Sequence, residues 1–203
     1  MRAFAVVLTL ACVATWGGLV VPATPPPPGM QTLWEFTYEF DLLEAGLPCN
    51  GGCHTQDDFT FEESGVIMGF DGWFIYDGNH PQPFTAIIFY DYDGRPSGRK
   101  WMADIADVTD IDTGDDAGDF DVYLTELRLD EEDYVFIEAG ETYWLELFWT
   151  GFIECWWLCA LGGNAHCNGD EYYLSTFFTI LGIPSGEGVE PASWGEIKAG
   201  FSD

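Results

Sequence analysis

The sequence predicts an all-β protein, a two-sheet antiparallel β-sandwich with jelly-roll-like connections. Apolar and polar residues alternate with a period of two in several runs, which is typical of half-buried strands. Turn residues separate these runs, and the 203 residues include 24 glycines and 17% aromatic residues, as expected for many short strands. No long run has the period of an amphipathic helix. The length predicts one domain with a substantial core.

The first strand shows the alternation most clearly. Large aromatic residues such as Trp34 and Phe36 alternate in it with polar residues such as Glu35. The predicted strands are residues 33–42, 59–61, 66–76, 84–92, 101–109, 119–129, 134–138, 141–150 and 171–181.

The runs 66–76 and 84–92 are predicted to form the middle of the sandwich, on either side of a turn rich in glycine and proline. The second run is apolar on both faces, which indicates a strand in the middle of a sheet. In the turn between the two runs, His80 is expected to be exposed to solvent. The turn after them holds most of the basic charge, at Arg95, Arg99 and Lys100.

The runs 101–109 and 119–129 are predicted to form a hairpin across an acidic turn at residues 110–118. In the second run Val122 and Leu124 share one phase, whereas Leu127 is out of phase with them. A β-bulge near Thr125 and Glu126 would explain the change of phase.

The two ends of the chain differ in composition from the middle. Residues 1–23 are predicted to be a signal peptide, because one basic residue precedes an apolar core and Ala23 ends a suitable cleavage site. A Pro-rich spacer at 24–32 precedes the sandwich domain at 33–182, and 183–203 form a linker and a short tail. Ser193 and Glu196 form a capping box at the start of a short tail helix, which either docks on the sandwich or acts as a sorting tag.

The charge limits the partners. The net charge is -29, from 35 acidic and 6 basic residues, so nucleic acid and anionic membrane are repelled. Neutral glycans and other surface proteins remain as partners. The only long apolar run lies in the signal peptide, so we expect secretion without membrane insertion after cleavage.

Five cysteines remain once the signal peptide, with Cys12, is removed. In an exported protein they are expected to form disulfides with one thiol left over, and the spacing leaves the pairing open. A Cys49–Cys53 disulfide and a second disulfide within Cys155, Cys159 and Cys167 would each cross-link one loop. These disulfide candidates are Cys49, Cys53, Cys155, Cys159 and Cys167.

Two cofactor interpretations compete with disulfides. The cysteines, with His54 and His166, supply enough soft ligands for zinc if the two loops meet. Residues 49–54 also resemble a covalent haem attachment site, with one residue too many between the cysteines. No cofactor is required for the predicted function.

A calcium site is the third metal hypothesis. Carboxylates in a glycine-containing turn are suitable hard ligands, and a solvated acidic turn is the alternative. The candidate ligands are Asp110, Asp112, Asp115, Asp116 and Asp119.

A ligand-binding surface is expected where aromatic side chains reach solvent. Trp156 and Trp157 lie together in a cysteine-containing loop, and adjacent residues rarely point the same way, so one of them is expected at the surface. His80 is the other candidate ligand-binding residue. The alternative is that both tryptophans cap the core. No histidine accompanies a recognisable nucleophile motif, so we do not expect an enzyme.

Several motifs resemble a jelly-roll β-sandwich domain that recurs in secreted and surface proteins of bacteria. They are DDFTF (57–61), GFDGW (69–73), IFYDYDGRP (88–96), AGETYWL (139–145) and YLSTFF (173–178). The resemblance implies a sandwich similar in architecture to carbohydrate-binding modules, and it implies no catalytic residues.

Together these observations predict a secreted, non-catalytic binding or structural module whose ligand is a neutral glycan bound at a sandwich rim. The alternative is a self-assembling or adhesive subunit of a cell surface, joined through exposed strand edges or the tail. A metal- or haem-binding extracellular protein is the third hypothesis.

Overall fold

The structure is a computed structural model that describes residues 29–36, 45–49, 54–76, 83–117, 120–149 and 155–185. The predicted signal peptide, the tail helix and His80 lie outside the described residues, as do Cys53 and Asp119.

The described residues form an all-β protein with two antiparallel sheets, as predicted. One turn of 3-10 helix at Glu131–Asp133 is the sole helical element among them. The strands are β1 Gln31–Phe36, β2 Ala45–Pro48, β3 Thr55–Thr60, β4 Gly65–Tyr76, β5 Phe84–Asp91, β6 Pro96–Ile105, β7 Asp107–Ala117, β8 Phe120–Arg128, β9 Val135–Ile137, β10 Thr142–Trp149, β11 Cys155–Leu161, β12 His166–Cys167, β13 Asp170–Glu171, β14 Leu174–Thr176 and β15 Phe178–Pro184.

The larger sheet is built around β4, the longest strand described. One edge of β4 pairs with β15 and then with β11, while the other edge pairs with β9 and β8. Strand β1 extends the sheet beyond β15, and β7 extends it beyond β8. Both sequence-predicted central runs are strands, but β4 and β5 lie in different sheets.

The smaller sheet has the order β13-β12-β3-β10-β5-β6 within the described residues. Alternation along β10 explains its position, because Tyr143, Leu145 and Leu147 face the larger sheet and are buried. The core between the sheets is rich in aromatic side chains, such as Trp149 and Phe178, and burying each stabilises the fold by roughly 1.5–3 kcal/mol.

The predicted hairpin of 101–109 with 119–129 is correct only for residues 107–109, which pair with 126–128, and is wrong for residues 101–105. The chain changes sheets at Ala106: β6 pairs with β5, and β7 pairs with β8. The residues predicted as an acidic turn therefore continue β7 as far as Ala117. The predicted bulge is also misplaced, because β8 keeps an unbroken register with β4 and the irregularity lies in β7, between Asp112 and Asp116.

A disulfide joins Cys49 to Cys155, across 106 residues of sequence. Because β2 and β11 are antiparallel neighbours, these cysteines lie opposite each other with a Cα–Cα distance of 5.7 Å. The sequence-based example of a Cys49–Cys53 pair is therefore wrong. The Cys49 carbonyl also accepts a bond from the Trp149 amide (2.9 Å), which ties this strand end to the smaller sheet.

The remaining described cysteines differ from each other. Cys167 is disulfide-bonded, whereas Cys159 is a buried thiol. Burial raises the pKa of the Cys159 thiol to about 12, with a further contribution from the nearby Asp57 charge. Within the described part of the chain, no helix is long and apolar enough to cross a membrane.

Candidate functional site

The outer face of the smaller sheet carries a group of polar side chains that strand register brings together. Because Thr55, Asp57 and Phe59 of β3 are buried beneath this sheet, the side chains between them face outward. The same alternation turns alternate residues of β10 outward, and register places His166 of β12 beside β3. We call this group the Glu146 cluster; it comprises His54, Gln56, Asp58, Trp144, Glu146, Phe148 and His166.

The Glu146 carboxylate lies at the centre of the cluster and is only 2% exposed. Its Oε1 accepts a hydrogen bond from His54 Nδ1 (2.6 Å), and its Oε2 accepts one from Gln56 Nε2 (2.8 Å). Register explains the second bond, since Glu146 and Gln56 are directly opposite each other on β10 and β3. These two hydrogen bonds therefore offset part of the free-energy cost of removing the Glu146 carboxylate from water.

His54 connects the buried carboxylate to the surface. Its side chain is 50% exposed, and its ring stacks on Phe148 with centroids 5.2 Å apart and planes 17° apart. A carboxylate can only accept, so Nδ1 donates in this hydrogen bond and Nε2 is left for another partner. The Asn168 side chain fixes the backbone by accepting from the His54 amide (3.2 Å).

His166 is the second histidine of the cluster, and it is 1% exposed. Its ring meets Trp144 edge-on, with centroids 5.0 Å apart. Its Nε2 is buried and has no hydrogen-bond partner in the structure. Trp144 is held in place because its Nε1 donates to Asp91 Oδ1 (2.8 Å).

Asp58 lies beside Trp144 across the β3–β10 register. Burial raises the pKa of its carboxyl, and hydrogen bonds from its own amide and from Asn164, together with the charge of His166, oppose that rise. Trp144, Glu146 and His166 are buried, so the part of the face that solvent reaches consists of His54, Gln56, Asp58 and Phe148. It combines imidazole, amide and carboxylate groups with one phenyl ring.

This arrangement can bind a polar molecule but provides no evident catalytic unit. His54 has the carboxylate partner that orients a catalytic histidine, but its contacts within the described residues are Asn168, Glu146 and Phe148, none of which is a serine or cysteine nucleophile. Planar polar groups beside aromatic rings can donate to and accept from hydroxyl groups while apolar surface packs on the rings.

The two predicted tryptophans lie on opposite sides of the larger sheet. Trp157 is fully buried, packs on Phe74 and Phe178, and donates from Nε1 to the Phe177 carbonyl (2.9 Å). A ligand cannot reach it, so its assignment as a ligand-binding residue is corrected. Trp156 is partly exposed on the other side and lies against Phe120, with ring centroids 5.8 Å apart.

The acidic residues predicted to bind calcium are spread along β7. Asp112 and Asp116 are exposed, whereas Asp110 Oδ1 accepts from Thr125 Oγ1 (2.7 Å) and Tyr76 Oη (2.7 Å). Within the described ranges, no three His, Cys, Asp or Glu side chains come together in a way that could hold a metal ion. Asp115 follows the glycine of the β7 irregularity, and its amide donates to Thr113 Oγ1 (3.2 Å).

The cysteines suit disulfides better than metal coordination. A sulfur in a disulfide is not a thiolate, so Cys49, Cys155 and Cys167 do not supply zinc ligands in this state. His54 and His166 do come near each other, but on the sheet face and around Glu146.

Five residues of the cluster were not predicted as site residues from the sequence: Gln56, Asp58, Trp144, Glu146 and Phe148. Trp144, Glu146 and Phe148 lie at outward positions of the predicted strand 141–150, so alternation could have placed them on the outer face, whereas Gln56 and Asp58 precede the predicted strand 59–61. Pairing of β3 with both β10 and β12 brings these residues together, and alternation within one strand does not reveal such pairing.

No protein-family model matches the chain, and no curated protein matches it either.

Proposed function

We propose that the protein is a secreted, non-catalytic module that binds a neutral carbohydrate on the outer face of its smaller sheet, at the Glu146 cluster. The observation that carries the proposal is the half-exposed His54 ring, which stacks on Phe148 while Glu146 fixes its Nδ1. Hydroxyl groups of a sugar can bond to His54 Nε2 and to the Gln56 amide, and the apolar face of a sugar ring can pack on the exposed edges of the His54 and Phe148 rings.

The charge of the site favours a neutral ligand over an anionic one. The net charge of the chain is -29, and Glu146 and Asp58 belong to the site itself. An anionic glycan would meet like charge at the site and at long range. The predicted jelly-roll connections and the resemblance to domains of bacterial surface proteins agree with a binding module of this kind, although fold alone does not determine function.

Secretion is supported by the cysteine chemistry. Cys49 and Cys155 form a disulfide, and such bonds persist in oxidising compartments. The predicted signal peptide at residues 1–23 would direct the chain to such a compartment.

A glycan array probed with and without EDTA tests the proposal. We expect binding to neutral glycans, at least a tenfold loss in both His54→Ala and Phe148→Ala, and no loss in Trp156→Ala. Tenfold corresponds to about 1.4 kcal/mol, the size expected for one hydrogen bond or one stacking contact. Circular dichroism would establish that each variant is folded.

Two results would contradict the proposal. One is no binding to any glycan by the folded wild-type protein. The second is that Trp156→Ala loses glycan binding while His54→Ala keeps it. This result would place the binding site at the sandwich rim. Loss of binding in EDTA, restored by calcium, would instead support the metal hypothesis for the β7 aspartates.

A further inference from the structure

The hairpin formed by β5 and β6 concentrates basic charge on a very acidic protein. The chain has 6 basic residues, and three of them, Arg95, Arg99 and Lys100, lie within this hairpin. Arg128, by contrast, is used inside the fold: it pairs with Asp71 (2.6 Å) and Glu126 (3.4 Å). The hairpin, which also contains Asp91, Asp93 and Asp104, therefore holds three of the four basic residues in the described part of the chain.

Large apolar side chains are exposed beside this charge. Tyr92 is 75% exposed, Tyr90 50% and Met102 47%. Tyrosine, arginine and methionine are enriched at protein interfaces, and tyrosine and arginine dominate binding hot spots. We call this surface the basic hairpin; it comprises Tyr90, Tyr92, Arg95, Arg99, Lys100 and Met102.

The basic groups of this surface make no ion pair within the described residues, although the chain has 35 acidic residues. The Lys100 Nζ lies over the ring faces of Tyr90 (5.3 Å) and Tyr143 (5.2 Å). Arg99 Nη1 contacts Met102 Sδ (3.2 Å), a weak acceptor. These guanidinium and ammonium groups are thus available to an acidic partner.

Among the described residues, the carboxylates of the hairpin itself form no ion pair with its basic groups. Asp91 accepts from Trp144 Nε1 (2.8 Å) and from the Gly94 amide (3.3 Å). Asp104 accepts from Thr85 Oγ1 (2.6 Å), and Asp93 is exposed in the turn.

Strand β6 also leaves one backbone edge open. Among the described residues it pairs with β5 alone, which makes it the end strand of the smaller sheet. Strand β7 is likewise an end strand, in the larger sheet, and it exposes Asp107, Asp112 and Asp116. Open edges are places where a second chain can add.

We propose that the basic hairpin of one copy binds the acidic strand β7 of a second copy. Two copies of charge -29 repel each other, so they can approach only where a basic surface meets an acidic one. At physiological ionic strength repulsion is screened beyond about 8 Å, whereas contacting pairs are screened less. One such contact per pair of copies generates chains or rings, whereas two reciprocal contacts close a two-fold dimer.

A charge-exchange experiment tests this contact. Variant one carries Arg95→Glu and Arg99→Glu, and variant two carries Asp112→Arg and Asp116→Arg. Sedimentation velocity at physiological salt should show wild-type association that increases with concentration. Each variant alone should associate at least tenfold more weakly, because like charges would then face each other.

Mixing the two variants should restore association, since each acidic surface again meets a basic one. All substituted residues are exposed, and thermal melts would establish that both variants fold. The proposal would be overturned by a wild-type protein that stays monomeric up to millimolar concentration, by variants that associate like wild type, or by a mixture that does not associate. Binding of polygalacturonate that variant one loses, without self-association, would overturn it in favour of an acidic glycan as the partner.

Discussion

Asp57 offers the sharpest test of the structure, because a carboxyl group is buried there without a cation. It is 1% exposed and faces the larger sheet from β3. Its Oδ2 accepts from the Thr176 amide (2.5 Å) and Thr176 Oγ1 (2.9 Å), and its Oδ1 accepts from the Asp58 amide (3.0 Å). Asp57 therefore ties β3 of one sheet to β14 of the other.

Burial raises the pKa of Asp57 from 3.8 to about 7, although the hydrogen bonds from Thr176 oppose the rise. Between these pH values the folded chain keeps a proton that the unfolded chain has released. The free energy of unfolding therefore falls as pH rises through this window, by about 1.4 kcal/mol per pH unit. The total is on the order of 4 kcal/mol between pH 4 and pH 7.

Asp57→Asn removes this dependence and keeps an oxygen for Thr176. The amide nitrogen cannot accept from the Asp58 amide, so at pH 4 we expect the variant to be about 1 kcal/mol less stable than wild type. At pH 8 it should be more stable, by roughly 3 kcal/mol, because no charge is buried. The stability curves should cross between these pH values.

Urea unfolding at half-unit pH steps, followed by tryptophan fluorescence, measures the difference. Asp93→Asn is the matched control: it removes one negative charge from an exposed turn residue, whose φ of 56° asparagine tolerates. Its curve should run parallel to that of wild type. A parallel curve for Asp57→Asn would mean that Asp57 is not protonated in the folded chain, and the reasoning would be refuted.

Three further predictions concern covalent structure and close packing. Replacing Cys49 and Cys155 together by serine should lower the free energy of unfolding by about 4–5 kcal/mol, since the bond closes a loop of 106 residues; an unchanged urea midpoint would contradict this. Cys159 should react with iodoacetamide in urea but not in the native protein, as measured by intact mass, because its thiol is buried and its pKa is raised. Gly182→Ala should cost roughly 3 kcal/mol in thermal unfolding, since the new Cβ would overlap the Val66 carbonyl oxygen; a wild-type melting temperature would contradict the packing.

The strands themselves could be predicted from local sequence. Alternation in 141–150 identified β10, and the apolar runs on either side of residues 77–83 identified β4 and β5. In a half-buried strand, apolar and polar residues alternate along the sequence. A few consecutive residues are therefore enough to predict that a segment is a strand and which of its side chains are buried.

Pairing partners could not be predicted in the same way. The change of sheet at Ala106 breaks one predicted strand into β6 and β7, and the adjacent sequence contains neither proline nor glycine to mark it. The Cys49–Cys155 bond depends on β2 lying beside β11, a contact between residues more than a hundred positions apart. Such contacts are fixed by packing of the whole domain, which local patterns do not encode.

In strand β3, local alternation decides which face each side chain takes, and long-range pairing decides which residues it meets there. Strand β3 presents Asp57 to the core, where it holds β14, and presents Gln56 to the outer face, where it supports Glu146. A displacement of β3 should therefore affect both the Asp57–Thr176 contact in the core and the Gln56–Glu146 contact on the outer face. If ionisation of Asp57 strains the β3–β14 contact, glycan binding at the Glu146 cluster should weaken above pH 7 in wild type and not in Asp57→Asn. If glycan binding had the same pH dependence in wild type and in Asp57→Asn, ionisation of Asp57 would have no effect on the Glu146 cluster, and this prediction would be wrong.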